Sequence, residues 1–147
     1  LGSFVGGGVL ERHPRLKVAF LEANCSWLPW LLWRLDEGYE REGDIFMQDL
    51  TMAPSEYFKR QCFISIEPEA PARHTIEDFG CEQLVFSTDY PHGDSKYPNA
   101  VESFLKLPLS DADKRKILWD NCARFYRVGT GATPVTLERY SNNPQLH

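Results

Sequence analysis

The stretch "LVFSTDYPHGD", residues 84–94, decides how this chain is read. An apolar run stops at Phe86, and a Ser-Thr-Asp-Tyr-Pro-His cluster follows at once. Two readings of Asp89 are open. It can start a turn, where aspartate accepts hydrogen bonds from nearby backbone N–H groups. It can also stand at the carboxyl end of a buried strand, where parallel α/β sheets build their sites.

Working outward, two more runs share the character of residues 83–89. They are "LKVAFLE" (16–22) and "QCFISIE" (61–67). All three are rich in Val, Ile, Leu and Phe, and none alternates cleanly with polar residues. That pattern predicts parallel strands covered on both faces. Helical patterns lie between and after them. "SWLPWLLWRLDEGYER" offers Ser26 as an N-cap and Pro29 in the first turn. Its first half is apolar nearly all round, which predicts deep packing. "APSEYFKR" reads as a short helical turn, "APARHTIEDFG" as a helix closed by Gly80, and "NAVESFLKL" as a helix after the opening motif. "LSDADKRKILWDNCARFYRV" is the clearest helix, with Ser110 and Asp113 as a capping pair. Its Ile117, Leu118, Asn121, Cys122, Phe125 and Tyr126 fall on one face at helical spacing. Alternating strands and helices predict βαβ units and a parallel sheet. Residues 1–128 form the folded part, and 129–147 an irregular tail without periodicity.

Composition narrows the function. The chain has 147 residues, 42% hydrophobic and 13% aromatic, enough for one globular domain. Net charge is −5 and no basic run stands out, which argues against a nucleic-acid partner. No apolar run approaches about 18 residues, so no membrane span is expected. Cys25, Cys62, Cys81 and Cys122 form no C-x-x-C pair and sit in or beside apolar segments. They read as small buried hydrophobes of a cytoplasmic protein. The start, without Met or a basic leader, suggests a piece of something longer.

The three strand ends deliver Glu22, Glu67 (followed by Pro68-Glu69) and Asp89 to one edge of the sheet. Carboxylates held close either raise one another's pKa or share a cation. Each has a plain alternative: a loop hydrogen bond for Asp89, a cap or salt bridge for Glu22, solvation for Glu67. His92 lies in the Asp89 loop, where a neutral imidazole can bind metal or carry protons; otherwise it is a surface residue. Asn24, Trp27 and Tyr90 follow the strand ends and are candidate substrate contacts, with core packing the alternative for Trp27. His13 reads as a helix-end residue and His74 as a surface one. No G-x-S-x-G, H-E-x-x-H or phosphate loop is present, and Ser87 has no paired base.

These pieces resemble the amidohydrolase-related family, the branch that includes aminocarboxymuconate-semialdehyde decarboxylase and related aromatic-acid decarboxylases. "GGVLERHPRLKVAFLEANCSWLPWLLWRLDE" resembles its sixth strand and flanking helices. "EQLVFSTDYPHGDS" resembles the eighth strand, and "KRKILWDNCARFYRV" the closing helix. The resemblance implies an α/β fold: a partial TIM (β/α)₈ barrel holding about the last three βα units, strands 6–8. It implies a divalent metal, usually zinc, with manganese or iron as alternatives, and Asp89 as its ligand. Two features depart from the family pattern. No H-x-H pair occurs anywhere, and Glu22 stands where the decarboxylases place a catalytic histidine.

The expected function is therefore a metal-dependent hydrolase or non-oxidative decarboxylase. Its substrate would be a small cyclic or aromatic carboxylate or amide, handled by Asp89, Glu22 and His92. The activity would belong to the full barrel. A complete (β/α)₈ barrel takes roughly 200 residues or more, and three strands leave two open edges. Poor stability alone, homo-oligomerisation, or association with the missing barrel half is expected. The alternatives are a non-catalytic fragment or interaction module, and a small independent doubly wound domain that binds a ligand at its strand ends.

Overall fold

The computed structural model describes residues 1–22, 24–68 and 72–128. Two short helices, α1 (Gly2–Gly6) and α2 (Val9–Arg12), precede strand β1 (Val18–Phe20). Helices α3 (Leu28–Phe46) and α4 (Pro54–Gln61) lead to β2 (Cys62–Ile66). Helix α5 (Ala72–Phe79) leads to β3 (Leu84–Phe86). Helices α6 (Ala100–Leu105) and α7 (Asp111–Arg115), a π-helical turn (Lys116–Asp120) and α8 (Asn121–Tyr126) follow.

The strands form one parallel sheet in the order β1-β2-β3, with Val18 opposite Cys62 and Ile64 opposite Leu84. The three apolar runs are thus strands, though shorter than the sequence suggests. Glu22 takes a positive φ of 83°, which a strand cannot contain, so β1 ends before it. Every residue of β2 is buried. Cys62, Ile64 and Ile66 join Leu28, Leu32, Tyr57, Phe58, Leu84, Phe104 and Ile117 in the core. On the other face, Phe63 meets the Phe125 ring at 5.1 Å and carries the Arg124 guanidinium 5.0 Å above its own ring. Ser65 is buried on that face too, and its hydroxyl has no hydrogen-bond partner. Leaving such a group unpaired costs about 1–3 kcal/mol.

Several helix readings need correction. Only Leu28, Leu32 and Gly43 of α3 are buried, while Trp30 and Trp33 are 63% and 60% exposed. A helix lying on one layer buries one stripe, and residues 28 and 32 take that stripe at i, i+4 spacing. Trp27, not Ser26, occupies the N-cap, with no side-chain cap; Pro29 does sit in the first turn. The closing helix is not continuous. Its π turn shifts the later side chains around the axis, so Asn121 stays buried while Tyr126 is 65% exposed. The Ser110 cap is as expected: its hydroxyl accepts from the Asp113 N–H at 3.1 Å. Gly80 ends α5 at φ 88°, a conformation glycine adopts without a Cβ clash, and donates to Ile76 O at 2.9 Å. His13 is the C-cap of α2, and His74 is exposed beside Glu77.

Cys25, Cys62 and Cys81 are buried, Cys122 is partly buried, and all four are free. Burial pushes the Cys62 thiol up to about 12 and Cys81 up to about 11. Thiols held this far from the thiolate form are unreactive packing groups. No helix among the described residues is long and apolar enough to cross a membrane. Residues 129–147 and Glu69 lie outside the described residues.

Candidate functional site

The carboxyl ends of β1 and β3 converge on one cluster. Glu22, Asp89 and His92 each offer a donor atom, and these atoms all lie within 4.8 Å of one another. Neighbouring strands run about 4.8 Å apart, so β1 and β3 are separated by about 10 Å across β2. The two carboxylates therefore meet across the end of the central strand, from the two outer strands of the sheet. The backbone shows how. Glu22, Asn24 and Asp89 take positive φ values of 83°, 54° and 59°. Such conformations cost non-glycine residues about 1–3 kcal/mol each and cluster at functional sites.

Around Asp89 the loop is closely tied. The Asp89 N–H donates to Ser87 Oγ at 3.3 Å, and the Tyr90 N–H to Thr88 Oγ1 at 3.3 Å. Ser87 thus serves the loop backbone. His92 N–H donates to Asp89 O at 3.0 Å, and His92 Nδ1 lies 3.0 Å from Asp89 Oδ1. A proton on Nδ1 satisfies that contact and leaves Nε2 as the acceptor nitrogen. The Asp89 side chain is 23% exposed and that of His92 58%. Glu22 is exposed as well.

The sequence did not single out residues 95–97, which complete this loop. Ser95 Oγ donates to Thr88 O at 2.6 Å and accepts from the Tyr97 N–H at 3.1 Å. Lys96 Nζ donates to Pro68 O at 3.1 Å, joining the loop to the end of β2. The Tyr90 and Tyr97 rings touch, with centroids 4.5 Å apart. The available signal was the repeated Tyr-Pro pair at 90–91 and 97–98. Both Tyr-Pro peptide bonds are cis.

The remaining expected residues are placed differently. Glu67 is not in the donor cluster. It lies near Cys25, whose thiol is raised by burial first and by the Glu67 charge as a smaller contribution. Asn24 is half-buried, and its Oδ1 accepts from the Cys25 N–H at 2.7 Å. Trp27 is half-buried against the core.

Two carboxylates and an imidazole are the donor chemistry of manganese, iron and zinc sites. Ligands about 2.0–2.2 Å from one such ion lie at most roughly 4.4 Å apart, so the cluster fits a shared divalent ion with small side-chain adjustments. The residues that would hold it are Glu22, Asp89 and His92.

The profile of the family described as amidohydrolase matches residues 3–128. Among curated proteins, gamma-resorcylate decarboxylase of Polaromonas sp. is 24% identical over 136 residues, 84% of this chain and 38% of that protein. The 5-carboxyvanillate decarboxylase of Sphingomonas paucimobilis superposes with a TM-score of 0.71 at 28% identity, over 86% of this chain and 38% of that one. The dihydroxybenzoic acid decarboxylase of Polaromonas sp., solved with manganese and the inhibitor 2-nitroresorcinol, gives a TM-score of 0.67 at 22% identity. That match covers 84% of this chain and 37% of that one, and it speaks for the fold. The chain thus spans 38% of the length of the curated relatives it matches.

Proposed function

Because the chain belongs to the amidohydrolase family, we propose that it carries strands 6–8 and the closing helix of a metal-dependent barrel enzyme. The reaction proposed is non-oxidative decarboxylation of a small aromatic carboxylate. The observation that carries this reading is the convergence of Glu22, Asp89 and His92 at the carboxyl edge of the sheet. Barrel enzymes of this kind gather their chemistry at that edge. The names of the relatives favour decarboxylation over hydrolysis and an aromatic acid over an amide.

A divalent ion at this site, manganese or zinc, would supply Lewis-acid polarisation of the bound substrate. Asp89 is the ligand the family pattern assigns, and its position is fixed by the Ser87 and His92 contacts. Decarboxylation breaks the ring-to-carboxyl C–C bond and requires a proton at the ring carbon. Glu22 stands where the related decarboxylases place a histidine and adds a carboxylate donor to the site. His92, oriented through Nδ1, offers Nε2 as its donor, and solvent at the exposed loop supplies the proton. Asn24, Trp27 and Tyr90 follow the same strand ends and are the candidate contacts for the substrate ring.

β1 and β3 are both edges of the three-stranded sheet. Edges of this kind favour strand pairing with the remaining barrel units or with a second copy. A competing reading, a non-catalytic module, rests on the lack of an H-x-H pair in the sequence. Metal binding separates the two. Calorimetric titration of the chain with manganese and zinc is expected to reveal one site. Asp89→Asn should weaken it at least about tenfold, with far-UV dichroism and melting unchanged. No binding by the unaltered chain would sink the metal reading.

A further inference from the structure

We infer that Tyr97 is a specificity-determining residue, forming with Tyr90 an aromatic wall that receives the planar ring of an aromatic carboxylate beside Glu22, Asp89 and His92. The inference rests on the function proposed above and adds a residue and a selectivity to it.

Position comes first. Tyr90 follows Asp89 directly, and consecutive Cα atoms are about 3.8 Å apart, so the backbone that carries the first ring adjoins the candidate metal ligand. Tyr97 is seven residues further on, yet its ring lies 4.5 Å from that of Tyr90, tilted by 52°. The hydroxyl of Ser95 brings it there. It grips the carbonyl of Thr88, one residue before Asp89, and the N–H of Tyr97. Lys96, between them, reaches away to Pro68 at the end of β2. The second ring is thus fastened to the same strand end that presents Asp89.

Exposure supplies the independent argument. Tyr90 is 65% exposed and Tyr97 58%, and neither belongs to the core cluster or the side chains packed on it. These two are held together by loop hydrogen bonds while much of their surface faces solvent. That arrangement is pre-organised, so a ligand ring meets it without first ordering the loop. Aromatic pairs favour one another beyond simple area burial, and a saturated ring of equal size and charge gains less from the same wall.

The test compares benzoate with cyclohexanecarboxylate, which share the carboxylate and differ in aromaticity. Their affinities for the chain are measured by ligand-observed NMR titration, with and without zinc. Benzoate is expected to bind about fivefold more tightly. Tyr97→Phe should keep that preference and Tyr97→Leu should bring the ratio near one, with far-UV dichroism unchanged in both. Equal affinities in the unaltered chain, a preference that survives Tyr97→Leu, or no binding of either acid overturns the inference. Asp89→Asn isolates the metal reading, because it should weaken both acids while preserving their ratio. A preference that persists without any zinc binding supports the wall and removes the metal.

Discussion

The two ends of the β-sheet are built on opposite principles. At the amino end, buried amides strap loops to strands. Gln61, fully buried, donates to His13 O at 2.8 Å and Leu16 O at 3.0 Å. Gln83 donates to Lys59 O at 3.0 Å. Asn121 donates to Cys81 O at 2.6 Å and Leu84 O at 2.7 Å. Tyr57 OH donates to Glu11 Oε2 at 2.5 Å and accepts from the Thr51 N–H at 2.8 Å. The carboxyl end carries Glu22, Asp89 and His92 in solvent-accessible loops, with three side-chain-bearing residues at positive φ. One end satisfies its polar groups, and the other holds its charges ready and accepts backbone strain to do so. The proposed function places chemistry at the carboxyl end and leaves stability to the amino end, the division that barrels generally show.

Substitutions can break that division if it is wrong. The largest effect is expected at the amino end. Asn121→Ala leaves two buried carbonyls without their donor and should cost about 3 kcal/mol in urea denaturation. Metal affinity, measured at a denaturant-free temperature where the variant is folded, should stay within a factor of two. A matching loss of metal affinity would show that the two ends are not separate.

Glu22→Gly should act in the opposite sense. Glycine adopts φ near 83° without Cβ strain, so the chain should gain about 1 kcal/mol of stability. Metal affinity should fall, because a donor is lost. A variant destabilised by this change would mean that Glu22 serves the fold and not the site.

An effect of similar size, tied to pH, is expected at Ser110. Its hydroxyl caps α7 and, with the Cys81 thiol, holds the Asp113 carboxyl below the usual carboxylate range. Ser110→Ala should cost about 1 kcal/mol at neutral pH. The depressed acid contributes stability above its unfolded pKa and loses it as pH falls through the folded value. The cost of the substitution should therefore shrink below about pH 4. A penalty independent of pH would leave the cap and remove the carboxylate from the account.

Much of this was legible in the sequence where the determinants are local. The three apolar runs announced the strands because a covered parallel strand excludes polar side chains on both faces. Leu84-Val85-Phe86 before Ser87-Thr88-Asp89 marked a strand and its end, and the i, i+3 spacing of Asp89 and His92 allowed one loop to join them. For Glu67 a site role and plain solvation stayed open, because strand-end position says nothing of how the following backbone turns. Glu22 and Asp89 take positive φ and meet His92, and Glu67 lies outside that cluster. Trp30 and Trp33 misled for a related reason: composition reports how apolar a helix is, not which stripe its neighbours cover. Tyr97 was invisible because Ser95, a residue common in any loop, is what carries it back to the strand.

The π turn at Lys116–Asp120 has a consequence for how this chain can vary. An α-helix rotates about 100° per residue. A π turn bonds i to i+5 and so takes in one residue more than an α turn. Removing one residue there would restore α geometry and leave Asn121 facing the carbonyls of Cys81 and Leu84. The same deletion in α7 would turn Asn121 by about 100° and break both bonds. The π turn is thus the one place among the described residues of the closing helix where length can vary while its hold on the sheet is kept.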